Sequence, residues 1–192
     1  MQATLFTALV LSAAAFNAQA AGPVHDTGPY AGVAGGRSNF SLPSTTPAAI
    51  SKDESGALFK VYGGYRLTDN FGLEVGYARL GSFHESVSLA GVTVRQNGSG
   101  RSLYGALTAR ARLGESVALN GRVGLSSGKV SGTNVLPAGQ NLIGAKRSAM
   151  IGVGAEYRVS PNFSITADLD HYGKLSKNVK ASAIMVGLKV SF

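Results

Sequence analysis

The feature that most constrains this chain is a period-two alternation that recurs from residue 56 onward and keeps almost every mid-strand charge on one of the two alternating faces. Side chains along a β-strand point to opposite sides in turn, so such a period gives each strand two chemically distinct faces. In 57–67, Phe59, Val61, Gly63, Tyr65 and Leu67 share one face, and Lys60, Tyr62, Gly64 and Arg66 the other. In 71–80, Phe71, Leu73, Val75 and Tyr77 oppose Gly72, Glu74 and Gly76. Leu103, Gly105, Leu107, Ala109, Ala111 and Leu113 oppose Tyr104, Thr108, Arg110 and Arg112; Val117, Leu119, Val123 and Leu125 then oppose Asn120, Arg122 and Ser126. Ile151, Val153, Ala155, Tyr157 and Val159 oppose Gly152, Gly154, Glu156 and Arg158; Phe163, Ile165, Ala167 and Leu169 oppose Ser164, Thr166, Asp168 and Asp170. The last segment sets Ile184, Val186, Leu188, Val190 and Phe192 against Met185, Gly187, Lys189 and Ser191. The glycine-rich first segment, within 29–40, puts Tyr30 on the apolar face if Arg37 shares the polar one.

That makes about eight strands of roughly ten residues, the length a tilted strand needs to cross a bilayer. Tight breaks at 68–70, 114–116 and 160–162 alternate with long Ser-, Gly-, Asn- and Pro-rich breaks at 41–55, 81–101, 127–146 and 173–180, read as loops. A soluble ligand-carrying barrel also alternates, but turns its polar face to water. Here the polar face carries mid-strand charges of both signs, which suits a closed interior, while the other face is apolar or glycine through the strand middles. Aromatics on the apolar face sort by height. Tyr65, Phe71, Tyr157, Phe163 and Phe192 lie beside the short turns, Tyr30 would join them, and Phe59 and Tyr77 lie toward the long breaks, as membrane-interface belts do. The expectation is an all-β, eight-stranded antiparallel transmembrane β-barrel with short periplasmic turns and long extracellular loops.

Residues 1–20 read as a signal peptide: an apolar run from Leu5 to Phe16 precedes Ala18-Gln19-Ala20, a small-x-small cleavage site, leaving 21–192 as the barrel domain. Absence of cysteine excludes a disulfide framework and thiolate metal sites. The formal charge of +8 is spread over single Lys and Arg residues without a basic run, which argues against nucleic acid as a partner.

The segments NFGLEVGYARLG (70–81), MIGVGAEYRVSPNFSITADLDHYG (150–173) and VGLKVSF (186–192) resemble the outer-membrane β-barrel family that includes opacity proteins and the transmembrane domain of outer-membrane protein A. The resemblance implies a Gram-negative outer membrane and delivery by the barrel-assembly machinery. In that family the machinery reads the terminal strand, here Ile184, Val186, Leu188, Val190 and Phe192. The peptidoglycan-binding domain of outer-membrane protein A has no counterpart in the resemblance.

An eight-stranded barrel has an interior that side chains nearly fill. Lys60, Arg66, Glu74, Arg110, Arg112, Arg122, Glu156, Arg158, Asp168 and Lys189 are expected to form an interior ion network, since an unpaired buried charge costs several kcal/mol. Partner-switching salt bridges in a gated pore are the alternative use of the same charges. No catalytic, cofactor or metal residues are assigned. His171 has Gly173 two residues on, where a lipid A deacylase would place its serine, while His25 and His84 have no arrangement for catalysis. The expected function is therefore structural and surface-interacting rather than enzymatic. Basic loops bearing Arg95, Arg101, Lys129, Lys146, Arg147, Lys174, Lys177 and Lys180 would meet lipopolysaccharide or anionic host or cell-surface polymers. A small-solute pore and a lipid A-modifying enzyme are the alternatives.

Overall fold

A computed structural model describes residues 27–41, 49–53, 55–89, 92–132, 144–176 and 179–192; for 41, 49–53, 55, 83–89 and 92–97 it describes the backbone alone. Nine strands occur among them: β1 (Gly28–Ser41), β2 (Ala49–Asp53), β3 (Ser55–Arg66), β4 (Phe71–Leu89), β5 (Val92–Arg112), β6 (Val117–Gly132), β7 (Gly144–Arg158), β8 (Phe163–Lys174) and β9 (Lys180–Ser191). Eight of them close an antiparallel barrel in the order β1-β3-β4-β5-β6-β7-β8-β9, with β9 returning to β1 from Tyr30↔Ser191 to Ser41↔Lys180. Closure leaves no unpaired sheet edge, a condition that backbone in hydrocarbon must meet. β2 lies outside this ring and pairs with the far end of β4, from Ala49↔Val87 to Asp53↔His84.

Three short turns, 67–70, 113–116 and 159–162, gather at one end of the barrel with Gly28 and Phe192. Leu67, Leu113 and Val159 each donate their N–H across the turn to the carbonyls of Phe71, Val117 and Phe163 at 2.9 Å. Two turn asparagines tie the turns to the neighbouring strand: Asn70 Nδ2 donates to Arg110 O at 2.9 Å and Asn162 Nδ2 to Ser191 O at 2.8 Å. At this end the Phe192 N–H donates to the Pro29 carbonyl at 3.0 Å, fastening the β1–β9 seam.

The two faces divide as the alternation requires. From Ala181 to Lys189 the side chains of β9 are buried and exposed in strict turn. Large apolar residues line the outside; Val75 is 64% exposed and Leu125 72%. A continuous apolar exterior of that kind is stable against lipid, not against water.

Three expectations change. Tyr30 is 7% exposed and points inward, so it is not an interface aromatic, and Arg37 points outward. Register is the reason: Tyr30 stands opposite Gly64 of β3 and Ser191 of β9, both interior positions, and direct cross-strand partners share a face. Next, Arg112 is exposed at the mouth of the turn end, because it is the last residue of β5, and Arg158 is half-buried there. Finally, the segments 81–101 and 127–146 are not simply loops. β4 and β5 pair on to Leu89↔Val92, β6 runs to Gly132, and β7 starts at Gly144. Residues 1–26, with the signal peptide, Ala18, Ala20 and His25, lie outside the described residues, as do Glu54, Lys177 and the side chains of His84 and Arg95.

Candidate functional site

The interior has two zones stacked along the barrel axis. Nearer the turns it is ionic. Glu156 of β7 accepts from Lys189 of β9, from Arg110 Nη2 at 3.4 Å, from Asn120 Nδ2 at 3.4 Å and from Ser164 Oγ at 3.0 Å. Above it, Arg122 of β6 is the hub of three carboxylates. It pairs with Asp168, lies 3.3 Å from Asp170 Oδ1, and lies 3.7 Å from Glu74 Oε1. Glu74 also accepts the Tyr104 hydroxyl at 2.7 Å and the Tyr30 hydroxyl at 3.1 Å. Lys60 Nζ reaches Asp170 at 2.8 Å while lying 4.9 Å and 5.2 Å from the ring centroids of Tyr62 and Tyr104. The described interior thus buries five cations, Lys60, Arg66, Arg110, Arg122 and Lys189, with four carboxylates, Glu74, Glu156, Asp168 and Asp170.

Glycine makes the space. Tyr62 stands opposite Gly32, Tyr30 opposite Gly64, and Tyr104 opposite Gly76. In each pair the ring lies over the glycine, where a Cβ would collide with it. Gly152 and Gly154 do the same for carboxylates: a Cβ there would meet Asp170 Oδ1 and Asp168 Oδ1 respectively. The cavity left among Tyr30, Arg66, Glu74, Arg110, Arg122 and Lys189 is about 30 Å³. That is room for a water or so.

Toward the far end the interior turns apolar. Phe40, Leu58, Leu80, Val130, Met150, Tyr172, Leu175, Val179 and Met185 form one buried cluster, all 5% exposed or less. Leu175 and Val179, from the β8–β9 connection, are fully buried in it. Gly173, at φ +62° beside a bulge, turns the chain so that they can enter. Among the inward groups, Asp170 and the hydroxyls of Tyr30, Tyr104 and Tyr172 were not in the expected network; inward parity was the available signal for all but Tyr30, and in the apolar zone Leu58, Leu80, Met150 and Met185 share it.

On the outside, Phe59, Tyr65, Phe71, Tyr77 and Tyr157 are exposed, Phe192 is 37% exposed, and Phe163 is half-buried. Arg37, Arg79, Arg101, Lys129, Lys146, Arg147, Lys174 and Lys180 are exposed toward the far end. His171 Nδ1 lies 2.8 Å from Ser182 Oγ, both exposed, beside a groove of about 370 Å³ that also touches Asn39, Ile151, Leu169 and Ile184. Sequence spacing missed this pair because Ser182 belongs to the neighbouring strand.

Residues 6–192 match the family model described as "Outer membrane protein beta-barrel domain". Among solved structures, the chain is similar to Ail, the attachment invasion locus protein of Yersinia pestis: 19% identity, 86% of this chain and 99% of that one, TM-score 0.57. OprG from Pseudomonas aeruginosa matches at 11% identity over 88% of this chain and 97% of that one, TM-score 0.62. Neisserial surface protein A matches at 17% identity over 85% and 97%, TM-score 0.57. No curated protein sequence matches the chain. The closed antiparallel barrel with its apolar exterior and charged interior, together with a family match over nearly all its length, places the chain in the outer-membrane protein β-barrel domain family, a protein of the outer membrane.

Proposed function

We propose that this barrel is a non-conducting surface protein that acts through its cationic far end, in contact with anionic polymers outside the cell. One observation carries the reading: the described interior is filled at two levels, by the Arg122-centred ion network and by the apolar cluster around Phe40 and Leu175. A pore needs a continuous wet path, and the paired charges and packed side chains of these two levels support a closed interior instead. Function then falls to the rim, where Lys146, Arg147, Lys174 and Lys180 present positive charge. A crystal structure of Ail holds the heparin analogue sucrose octasulfate, a precedent on the same fold for binding a sulfated sugar. The full-length protein, purified from outer membranes, should show no single-channel current in planar bilayers and should bind sucrose octasulfate with a salt-dependent affinity. K146Q/R147Q/K174Q/K180Q should weaken that binding at least 10-fold. A steady conductance, or equal binding by the variant, refutes the reading.

A second reading, hydrolysis of an outer-leaflet lipid ester, is favoured by the His171–Ser182 pair alone. Ser182 would attack an acyl carbonyl as His171 takes its proton. The ester C–O bond would break with the lipid alcohol leaving with that proton, and water would then release the fatty acid from Ser182. Asp170, next to His171 in the chain, faces the interior against Lys60 and does not orient the ring. Unchanged lipid A mass profiles between cells with the wild-type protein and with Ser182→Ala remove this reading.

A further inference from the structure

Three cations stand in direct cross-strand succession on the outer wall. Arg79 of β4 is opposite Arg101 of β5, and Arg101 is opposite Lys129 of β6. All three are exposed and flanked in sequence by buried residues, so they point away from the barrel axis. Adjacent strands are about 4.8 Å apart, so the row packs three positive charges into a strip about 10 Å wide. Arg147 of β7, opposite Ser127, stands diagonally beside Lys129 and widens the strip.

Like charges placed directly opposite on a sheet repel, and a folded surface normally intersperses acids among them. Among the described side chains nothing does so here. None of the three side chains is hydrogen-bonded or ion-paired with a described residue, and the next outward neighbours along β4, β5 and β6 are Tyr77, Ser82, Ser99, Leu103, Ser127 and Ser131. The carboxylates whose side chains are described are elsewhere: Glu74, Glu156, Asp168 and Asp170 inside, Asp69 and Glu115 in turns at the opposite end. The position of the row is also specific. Phe59 continues it on β3, and the apolar exterior begins directly below with Tyr77 and Leu103. A ligand that answers both halves of this surface is anionic at its head and apolar at its tail.

We propose that Arg79, Arg101 and Lys129 bind the phosphate groups of an outer-leaflet glycolipid, the lipid A part of lipopolysaccharide, with its acyl chains lying on Tyr77 and Leu103. The site rests on the family's membrane placement and not on the polymer-binding reading: Arg79, Arg101 and Lys129 are not among the four residues of that reading, and Arg147, which is, only borders the row. Arginine is suited to the role because its planar fork grips phosphate oxygens two at a time. Bound phosphates would relieve the repulsion along the row, so lipid and barrel would stabilise each other.

The test uses the full-length protein purified from outer membranes in detergent micelles, with bound lipid counted by native mass spectrometry. Diphosphorylated lipid A should bind at least 10-fold more tightly than enzymatically dephosphorylated lipid A. R79Q/R101Q/K129Q should lose that preference, and K174Q/K180Q should keep it. If the triple variant does not show the heat-dependent gel mobility of a folded barrel, Arg101→Gln, the middle of the row, should still weaken diphosphorylated lipid A at least 3-fold. Equal binding of the two lipids by the wild type overturns the proposal. So does an undiminished preference in the triple variant, or in R101Q where that is the variant measured. Complete displacement of the lipid by equimolar sucrose octasulfate overturns it too, because it would assign the row to soluble polyanions.

Discussion

The two zones of the interior achieve the same end, a filled barrel, by opposite means. Near the turns, position is fixed by pairing: Arg122 holds three carboxylates from two strands, and Asp168, Asp170, Tyr30, Tyr62 and Tyr104 each lie against a glycine that leaves room for them. Near the far end, position is fixed by shape: the side chains of Phe40, Leu80, Val130 and Leu175 pack into one buried apolar cluster. A paired zone is intolerant of losing any one member, because the rest are left charged and dry. A packed zone tolerates exchange at constant volume and resents only holes.

That contrast predicts an order of effects, read as unfolding free energies from urea titration of the barrel in lipid vesicles. The largest loss belongs to the hub. Arg122→Met keeps much of the volume but strips Asp168, Asp170 and Glu74 of their shared cation, and should cost about 3–5 kcal/mol. A cost under about 1 kcal/mol would mean the network is not the element that holds this zone. The same residue type in the other zone should be nearly harmless: Leu175→Met, close in volume, should cost less than about 1.5 kcal/mol. Leu175→Ala, which leaves a hole, should cost about 2–3 kcal/mol. Conductance should stay absent in Leu175→Ala, since the ion network remains beneath it; a current would show that the apolar zone alone does the sealing.

The glycines sharpen the comparison at smaller scale. Gly152→Ala places a methyl against Asp170 Oδ1 and 2.8 Å from Arg122 Cγ, and should cost about 1–3 kcal/mol. Gly121, on the lipid side, has nothing within 4 Å of an added Cβ, so Gly121→Ala should lie within about 0.5 kcal/mol of wild type. Equal effects at the two positions would refute the argument that interior glycines exist to seat side chains.

The same contrast explains what was legible in the sequence. Where strands separate lipid from a charged interior, polarity alternates residue by residue, so Lys60, Glu74, Arg122 and Lys189 could be assigned inward from parity alone. β1 was misread because its interior positions are mostly small, Gly32, Ala34 and Gly36, and its charge, Arg37, sits outside; only register against Gly64 and Ser191 fixes its facing. The strand extensions past residue 81 on β4 and residue 127 on β6 were hidden for a different reason. There the exposed face carries Ser82, Ser127 and Lys129, no longer an apolar row, so the composition resembles a loop while the backbone goes on pairing. The apolar zone was legible only in part: Leu58, Leu80, Met150 and Met185 share the inward parity, but Phe40, Leu175 and Val179 meet them only through closure and the β8–β9 connection. His171 and Ser182 were separated by the same fact: cross-strand neighbours share no sequence spacing.

The smallest effect probes the boundary between the zones. Tyr104 belongs to both, with its ring 6.1 Å from that of Tyr172 and its hydroxyl 2.7 Å from Glu74. Tyr104→Phe removes the polar contact and keeps the packing. Glu74 retains the Tyr30 hydroxyl at 3.1 Å and Arg122 at 3.7 Å, so the loss should be modest, about 1 kcal/mol. Its couplings matter more than its size. Tyr104 and Arg122 share Glu74, so Y104F and R122M together should depart from additivity by at least about 0.5 kcal/mol. Val130 pairs with Gly100, four residues along β5 from Tyr104 and about 13 Å away at the usual strand rise. Y104F removes a hydroxyl bonded to Glu74 and V130A removes methyls from the apolar cluster, so the two should add to within about 0.5 kcal/mol. Strong coupling of Y104F to V130A, or none to R122M, would mean that the interior responds as one body and that the division into a paired zone and a packed zone is wrong.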